Sequence, residues 1–399
     1  MGQAPRNGIS RPLLVIFLTI LVNLIGFGII IPLLPFYAET FGASPVAVGM
    51  LFASFSISQL VASPVLGHWS DHWGRRPVLI FSLLGTVVSF VMLALAHSLV
   101  MLFAARIVDG LSGGNITTAR AYIADVTDES NRAKAFGMLG ASFGLGFILG
   151  PAISGVFTKI SYTAPIWAAA AITVVATLLA WFWLPETVHR VHAVAGSPWK
   201  ALRELSTRPA LRTLFAIDFL YWTCFAIYQG TFALFGEKRF HFDATEIAYI
   251  LAAFGVLGVI VQGGLVAPVV RRLGEKKTLM IGLVLAAGSW GATAVAPTPT
   301  LFFALLVPGA LGIGFCTPAL TSLLSTAAGR HEQGRVQGAA GALESLGRTL
   351  GPVWGNGSLQ WIGTPAPYGS AALLLIGTAL LTTRYHPTRP VDRGAAVQE

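Results

Sequence analysis

Two charged side chains in the fourth apolar run of the sequence have the types and the spacing needed to carry a proton. Arg106 and Asp109 are three residues apart, so they share one face of a helix. Charges inside hydrocarbon are costly and usually serve a function. A buried carboxylate beside a guanidinium can bind and release a proton, because burial and the neighbouring charge act on it in opposite directions. Asp109 with Arg106 is therefore the first candidate for proton coupling, and a permanent structural ion pair is the alternative.

A second charged pair lies in the eleventh apolar run. Glu344 and Arg348 are four residues apart with the acid first, which is the favourable order on a helix. Because burying such a pair seldom stabilises a fold, both are candidates for substrate binding and Glu344 also for proton coupling, with a structural role equally open. Asp218 is a further proton-coupling candidate unless its side chain reaches the membrane surface. Arg120 is expected to reach that surface or to pair locally.

Uncharged polar side chains in the apolar runs are candidates for lining a substrate cleft. Ligand pockets are mostly apolar with a few polar anchors, although each such residue taken singly more often packs or hydrogen-bonds between helices. The candidates of this kind are Asn23, Gln59, Tyr228, Gln229 and Gln262.

These residues have to be positioned by membrane helices. The 399-residue chain is 54% hydrophobic and only 11% charged, whereas soluble domains carry about 25% charged residues. Its apolar runs are about 20 residues long, enough to span roughly 30 Å of hydrocarbon as helices, and they do not alternate as barrel strands do. The sequence thus predicts an all-α integral membrane protein with twelve transmembrane helices, at about 12–37, 45–66, 77–97, 99–124, 134–157, 163–184, 210–235, 245–267, 277–296, 300–327, 334–357 and 366–383.

The basic residues predict the orientation of these helices. Twenty Lys and Arg residues fall on the side that holds both termini, and only Lys159, Lys238 and Arg239 fall on the other. This bias predicts that both termini are cytoplasmic, in the cell (inner) membrane. It also accounts for the net charge of +9, so we expect no nucleic-acid partner.

The chain repeats itself at an offset of 200 or 201 residues. The segment WGRRPVL at 73–79 returns as LGEKKTL at 273–279, and Gly150-Pro151 returns as Gly351-Pro352. The repeat predicts two pseudo-symmetric six-helix bundles with a substrate site between them. The bundles are 1–184 and 210–384, joined by a cytoplasmic linker at 185–209 that includes an interfacial helix. A disordered tail is expected at 385–399.

Catalytic and metal chemistry finds little support in the sequence. His68 and His72 are four residues apart, but no third ligand lies nearby. The two cysteines lie inside apolar runs, and no nucleophile with a neighbouring base stands at membrane depth. We therefore expect no enzyme activity, no metal and no cofactor, which sets aside a membrane enzyme or a non-transporting receptor.

Several motifs together resemble those of the major facilitator superfamily. The loop between helices 2 and 3 of that family resembles residues 67–79, GHWSDHWGRRPVL, and its R-x-x-x-G-x-x-G signature is similar to 106–115, RIVDGLSGGN. The drug:proton antiporter branch, which includes the tetracycline exporters, is similar in 121–137, AYIADVTDESNRAKAFG, and in the glycine-rich 140–151, GASFGLGFILGP. The resemblance covers nearly the full chain and implies the major facilitator fold.

The resemblance implies roles for matching residues. Asp71 would sit against the N-terminus of helix 11 and Arg75 would bridge toward Asp125, so that the two halves are latched on the cytoplasmic side. Arg106 would take part in proton transfer. The residues of this predicted conformational latch are Gly67, Asp71, Gly74, Arg75 and Asp125, and those of a predicted hinge in helix 5 are Gly146, Gly150 and Pro151.

One residue departs from the pattern of the tetracycline exporters. Their first helix carries an intramembrane aspartate, and the matching stretch here, NLIGFGIIIP, has Asn23 in that place. Asparagine cannot cycle a proton. Proton coupling would then depend on Asp109, Asp218 or Glu344, or it would be absent.

Residues and resemblance together predict a proton-coupled secondary active transporter that exports a small amphipathic compound by alternating access. The alternative on the same fold is uptake or facilitated transport of a sugar, an organic anion or a lipid. The expected partners are the small-molecule substrate, protons and the lipid bilayer, with the proton gradient in place of a cofactor. We expect a monomer.

Overall fold

In the part of the chain that the structure describes, twelve helical paths, named α1 to α12, cross the molecule. The computed structural model describes residues 11–113, 115–127, 129–187, 198–328 and 332–385, and every regular element in them is a helix. Nine of these helices are long and apolar enough to span a membrane. This confirms the predicted all-α membrane fold. The bounds are α1 Arg11–Glu39, α2 Pro45–Trp73, α3 Arg75–Ala94, α4 Leu99–Ser112 and Asn115–Val126, α5 Glu129–Thr158, α6 Ala164–Trp183, α7 Pro209–Phe240, α8 Ala244–Ile260, the π-helical turn Val261–Leu265 and Val266–Leu273, α9 Glu275–Ala294, α10 Pro299–Ala327, α11 Gln333–Trp361 and α12 Ala366–Thr383.

The repeat seen in the sequence reappears in the turns between α2 and α3 and between α8 and α9. Gly74 has φ 110° and Gly274 has φ 77°, a region of backbone geometry that glycine enters without steric cost. Beyond the turns, the start of each following helix is tied to the end of its bundle. Arg76 donates to the backbone oxygen of Trp181 at 2.6 Å, and Lys276 donates to that of Tyr385 at 2.6 Å. The same glycine turn and the same kind of hydrogen bond therefore occur in both halves, 200 residues apart.

A close helix crossing forms the framework of each half, α1 against α5 and α7 against α11. A methyl group on Gly150 would lie 2.6 Å from Cα of Gly28, and one on Gly351 would lie 2.7 Å from Cβ of Ala226. Small residues let membrane helices approach this closely. α5 runs through Pro151 without a break, so the structure shows packing at the three residues of the predicted hinge. Bending there stays a prediction.

We expect Gly150→Ala to lower the stability of the protein, because the added methyl group has no room in the α1–α5 crossing. Overpacking of this kind costs about 1–3 kcal/mol. The matched control is Gly140→Ala in the same helix, where no atom lies within 4 Å of the added carbon. Thermal unfolding in detergent should show a lower Tm for Gly150→Ala and no decrease for Gly140→Ala. Equal Tm values would contradict the close crossing.

The two halves meet at one end of the molecule and separate at the other. At the end opposite the α2–α3 turn, the backbone N–H of Val46 donates to Oε1 of Gln360 at 3.1 Å, and Gly155 of α5 faces the ring of Tyr249 in α8. The second segments of α4 and α8, near the α2–α3 and α8–α9 turns, pack on helices of their own half. We call the end with these two turns the basic face and the other end the opposite face. The cleft between the halves thus opens at the basic face.

The linker between the halves is fixed to the second half. A short helix, Pro198–Leu205, buries Ala201 and Leu205 against the core of that half. Arg208 forms a bidentate ion pair with Glu332 at the start of α11, in which Nη1 and Nη2 donate to the two carboxylate oxygens at 2.6 and 2.9 Å. Glu204 pairs with Arg335. The predicted linker thus contains a helix, and its position at the membrane interface stays a prediction. Residues 188–197 of the predicted linker lie outside the described residues.

The first residue of the predicted tail is part of the fold. Tyr385 is buried and its backbone oxygen accepts the Lys276 contact described above. Residues 386–399, the rest of the predicted tail, lie outside the described residues.

Candidate functional site

Charged side chains of α7 and α11 come close together in the cleft between the two halves. The two helices approach closely at Gly347, where an added carbon would lie 2.9 Å from the backbone nitrogen of Thr223. This contact brings Asp218 of α7 within electrostatic range of Glu344 and Arg348 of α11. We call these three residues, together with Trp222, the central charge cluster.

Asp218 is the most enclosed member of the central charge cluster. It is 2% exposed, and its Oδ2 atom has no hydrogen-bond partner within the described part of the chain. By helix rise it lies roughly 14 Å from the start of α7, and protein encloses its side chain at that depth. A buried carboxylate without a hydrogen-bond partner is unfavourable when ionised. Burial therefore favours the protonated form of Asp218.

Arg348 is held by neighbours other than the acid on its own helix. Its guanidinium lies 5.4 Å from the centre of the Trp222 ring and donates to Oγ of Ser345 at 3.2 Å. Among the described residues no ion pair joins it to Glu344, which is half-buried. The spacing of four residues predicted a shared helix face, but the side chain turns toward α7 instead. Both carboxylates act on Arg348 electrostatically, but neither forms an ion pair with it within the described residues.

The first half contributes one more charge to the cleft. Arg120 lies in the second segment of α4, and its side chain is exposed. It is close enough to Arg348 for the two positive charges to interact. This charge faces the central charge cluster from across the cleft, whereas the sequence predicted that it would reach the surface or pair locally.

Arg106 and Asp109, the first candidates for proton coupling, lie inside the first half. Nη1 of Arg106 donates to Oδ2 of Asp109 at 2.8 Å, and the guanidinium lies 4.3 Å from the ring centre of Phe55 in α2. Arg106 is 2% and Asp109 8% exposed, and α2 and α3 pack on this segment of α4. The pair is thus enclosed by its own bundle, away from the central charge cluster.

The structure distributes the uncharged substrate candidates over several environments. Nε2 of Gln59 donates to the backbone oxygen of Gly113 at 2.9 Å, which ties α2 to the break in α4. Tyr228 is buried in the core of the second half, 4.7 Å from the Trp290 ring and parallel to it. Asn23 and Gln229 are half-buried. None of these contacts involves the central charge cluster.

Gln262 belongs to a separate crevice at the basic face. It is exposed in the π-helical turn of α8 and borders a cavity of about 350 Å³ together with Arg271 and Ser322. Of the substrate candidates, only Glu344 and Arg348 therefore come together with Asp218.

The latch residues form a network at the basic face of the first half. Arg75 pairs with Asp71 and, at 3.2 Å, with Asp125. Because both partners lie in the same half and the cleft is open here, the contact predicted between Asp71 and α11 remains a prediction. Gly67 has no atom within 4 Å of an added carbon.

Glu186 is a member of this network that the sequence analysis did not identify. Its carboxylate accepts the backbone N–H groups of Arg75 and Arg76, at 2.9 and 3.2 Å, and so caps α3. An added carbon on Gly74 would collide with this carboxylate. The only signal in the sequence is an acid just after the sixth apolar run, WLPETV at 183–188.

We expect Glu186→Ala to destabilise the first half, because it removes the acceptor for two N–H groups at the start of α3. The loss of a helix cap typically costs about 0.5–2 kcal/mol. Glu186→Gln keeps an acceptor oxygen and should lose less. The measurement is the Tm in detergent, and a Tm of Glu186→Ala equal to that of the unmodified protein would show that the cap is dispensable.

Comparisons with known proteins give consistent results. The sequence profile of the Major Facilitator Superfamily matches residues 16–352, and a second match covers 263–399. The chain is 33% identical over 384 residues to the tetracycline resistance protein, class C, of Escherichia coli, covering 93% of this chain and 96% of that protein. It is 32% identical over 353 residues to multidrug resistance protein 2 of Bacillus subtilis (strain 168), covering 86% and 87% of the two chains. The crystal structure of the human organic anion transporter MFSD10 (TETRAN) superposes with a TM-score of 0.74 over 95% of this chain and 100% of that one, at 23% identity. This last similarity concerns the fold alone.

Proposed function

The chain belongs to the Major Facilitator Superfamily, and from this premise we propose that it exports small amphipathic drugs in exchange for protons. Two kinds of relative support the export of drugs, those named tetracycline resistance proteins and those named multidrug resistance proteins. The human organic anion transporter is similar in fold alone, at 23% identity, so it gives weaker support to the alternative, uptake or facilitated transport of a sugar, an organic anion or a lipid.

The observation that carries the proposal is the unpartnered, buried carboxylate of Asp218 beside Glu344 and Arg348. Arg120 faces the cluster from the first half, but its side chain is exposed, so water screens its charge. Within the central charge cluster itself, two ionised carboxylates and one guanidinium therefore leave one negative charge that is largely uncompensated. A proton on the carboxylates removes this charge, and so does the positive end of a bound drug. Because either event makes the other less favourable, proton and drug compete for one cluster. That competition is what an exchanger requires.

The ring of Trp222 gives the cluster an apolar wall. It packs edge-on against Phe225, with ring centres 5.6 Å apart, and both side chains are half-buried. An aromatic surface beside charged groups suits a compound with a flat apolar body and a polar end. The same ring also lies 5.4 Å from the guanidinium of Arg348, so the apolar wall and the positive charge are next to each other.

Transport then requires the cleft to open alternately to the two sides. In our proposal the basic face is cytoplasmic, so the structure corresponds to the form that receives drug from inside the cell. The proposal places the protein in the inner membrane as a monomer with both termini in the cytoplasm. The proton gradient supplies the energy, and no cofactor is needed.

The test uses the full chain reconstituted in liposomes, with tetracycline and the cationic dye ethidium as probes. A pH gradient across the membrane should drive accumulation of at least one probe, and nigericin, which collapses the gradient, should abolish it. Protein-free liposomes are the control. Equilibration of a probe that is insensitive to the gradient would contradict exchange with protons, and gradient-driven transport of a sugar or an organic anion instead would support the alternative.

A further inference from the structure

The closure of the opposite face joins the end of α1 to the end of α7. Phe36 of α1 is buried in the core of the second half, whereas Leu234 of α7 and Leu359 of α11 are buried in a core cluster of the first half. Each half thus inserts apolar side chains into the other. Opening this face requires all three contacts to be broken.

Two carboxyl groups lie at the rim of this apolar closure. Glu39 is the last residue of α1, and its carboxyl group is within hydrogen-bonding reach of that of Glu237, in the last turn of α7. Both side chains are half-buried. Oε2 of Glu237 is enclosed and has no hydrogen-bond partner among the described residues. We call Glu39 and Glu237 the outer pair.

Few other charges act on the outer pair. Lys238, the neighbour of Glu237, attracts Glu39, but its side chain is exposed and water screens its charge. Arg239 turns away, since its Nε donates to the backbone oxygen of Ala296 at 3.1 Å. The pair thus interacts mainly with itself across the boundary between the halves.

The protonation state of the outer pair determines whether its two carboxyl groups attract or repel each other. Two ionised carboxylates have only acceptor atoms, so they cannot form a hydrogen bond and they repel each other at short range. One proton converts the same contact into a short, charge-assisted hydrogen bond. Two half-buried carboxyl groups brought together by the α1–α7 closure therefore attract each other only in the second form.

We propose that Glu39 and Glu237 form a proton-operated closure of the opposite face. One proton shared by the outer pair holds α1 and α7 together and keeps the cleft open at the basic face. Loss of that proton separates the two helix ends and favours opening of the opposite face. This switch goes beyond the proposed function, because it lies outside the central charge cluster and acts on conformation without contact with the drug.

The closure is tested by measuring a distance across the opposite face in the full chain. Spin labels are attached at Val100→Cys in the first half and Thr300→Cys in the second, two exposed positions at the starts of α4 and α10. The native cysteines are both buried. Pulsed electron resonance in lipid nanodiscs gives the populations of short and long distances at pH 5 and pH 8. In the otherwise unmodified protein we expect the ratio of short to long to fall about threefold or more on raising the pH, a modest population shift.

Variants of the outer pair identify the group responsible. Glu39→Gln and Glu237→Gln, singly and together, should keep the short distance at both pH values, because an amide hydrogen-bonds without a titrating proton. Glu246→Gln, on the same face, keeps its role in the helix cap and should retain the pH response. The same response in the double variant, or none in the unmodified protein, would overturn the proposal. Because no transport is measured, the result is independent of whether the protein exchanges drugs for protons.

Discussion

Replacing Asp218 by asparagine removes proton-driven transport and leaves the protein folded. The asparagine side chain has nearly the same shape but cannot bind and release a proton. Asp218 is buried with an unpartnered oxygen, so removing its charge should not lower stability. We expect the rate of pH-driven accumulation in liposomes to fall by on the order of 10²-fold or more, as is common when a proton-transferring side chain is lost.

A second transport mode separates coupling from folding in this variant. Exchange of labelled for unlabelled drug at equal concentrations requires binding and alternation but no net proton movement, so Asp218→Asn should retain it. Asp109→Asn changes the other buried aspartate, which the structure places inside the first half. It is compared at equal amounts of folded protein, because it breaks the pair with Arg106 from one side. If Asp109→Asn abolishes pH-driven accumulation and Asp218→Asn does not, coupling belongs to the Arg106–Asp109 pair, as the sequence first suggested.

Arg106→Met should lower the stability of the protein more than Gly150→Ala or Glu186→Ala does. Arg106 is 2% exposed and pairs with Asp109 at 2.8 Å, so its removal leaves a buried carboxylate without a counter-charge. Breaking a buried pair from one side costs about 3–5 kcal/mol. The Tm in detergent, or the yield of folded protein in size-exclusion chromatography where the variant does not survive extraction, measures the effect.

The double variant Arg106→Met/Asp109→Leu distinguishes an ion pair from simple packing. Removing both charges should recover most of the lost stability, because apolar residues of similar volume replace buried ion pairs well. Arg120→Met, an exposed arginine in the same helix, should change Tm little. A double variant as unstable as Arg106→Met alone would mean that packing against Phe55, and not charge, explains the loss.

The helices and their arrangement in two halves could be predicted because they depend on local sequence and on length. An apolar run of sufficient length has to become a helix in a membrane, and an offset of 200 residues between two loops implies two similar bundles. Gly74 and Gly274 could be recognised in the sequence for the same reason. They end one helix and begin the next within a single turn.

The candidate site was predictable in its residues but not in its pairings. Asp218, Glu344 and Arg348 stand out in the sequence as charges at membrane depth. Which of them meet depends on how α7 and α11 rotate about their axes, and that rotation depends on close contacts between the two helices, such as that of Gly347 with Thr223. Arg348 therefore packs on Trp222 and not on Glu344, which its spacing alone favoured.

Contacts between residues far apart in the chain could not be predicted from the sequence, because they too depend on how the helices pack. Tyr228 has the polar group of a pocket residue, yet it stacks on Trp290, 62 positions away in the chain. Glu186 caps a helix that begins 111 residues earlier. Neither contact leaves a local pattern, since each depends on the packing of whole helices.

The tight glycine crossings inside each half affect which residues can be substituted without loss of the fold. They place the mechanical framework at α1–α5 and α7–α11, on residues that no drug has to touch. Side chains such as Trp222 and Phe225, which face the cleft, can then be exchanged without disturbing that framework. An exporter built in this way could change the compounds it accepts through substitutions in its cleft, because the packing of its helices depends on glycines elsewhere in the bundles.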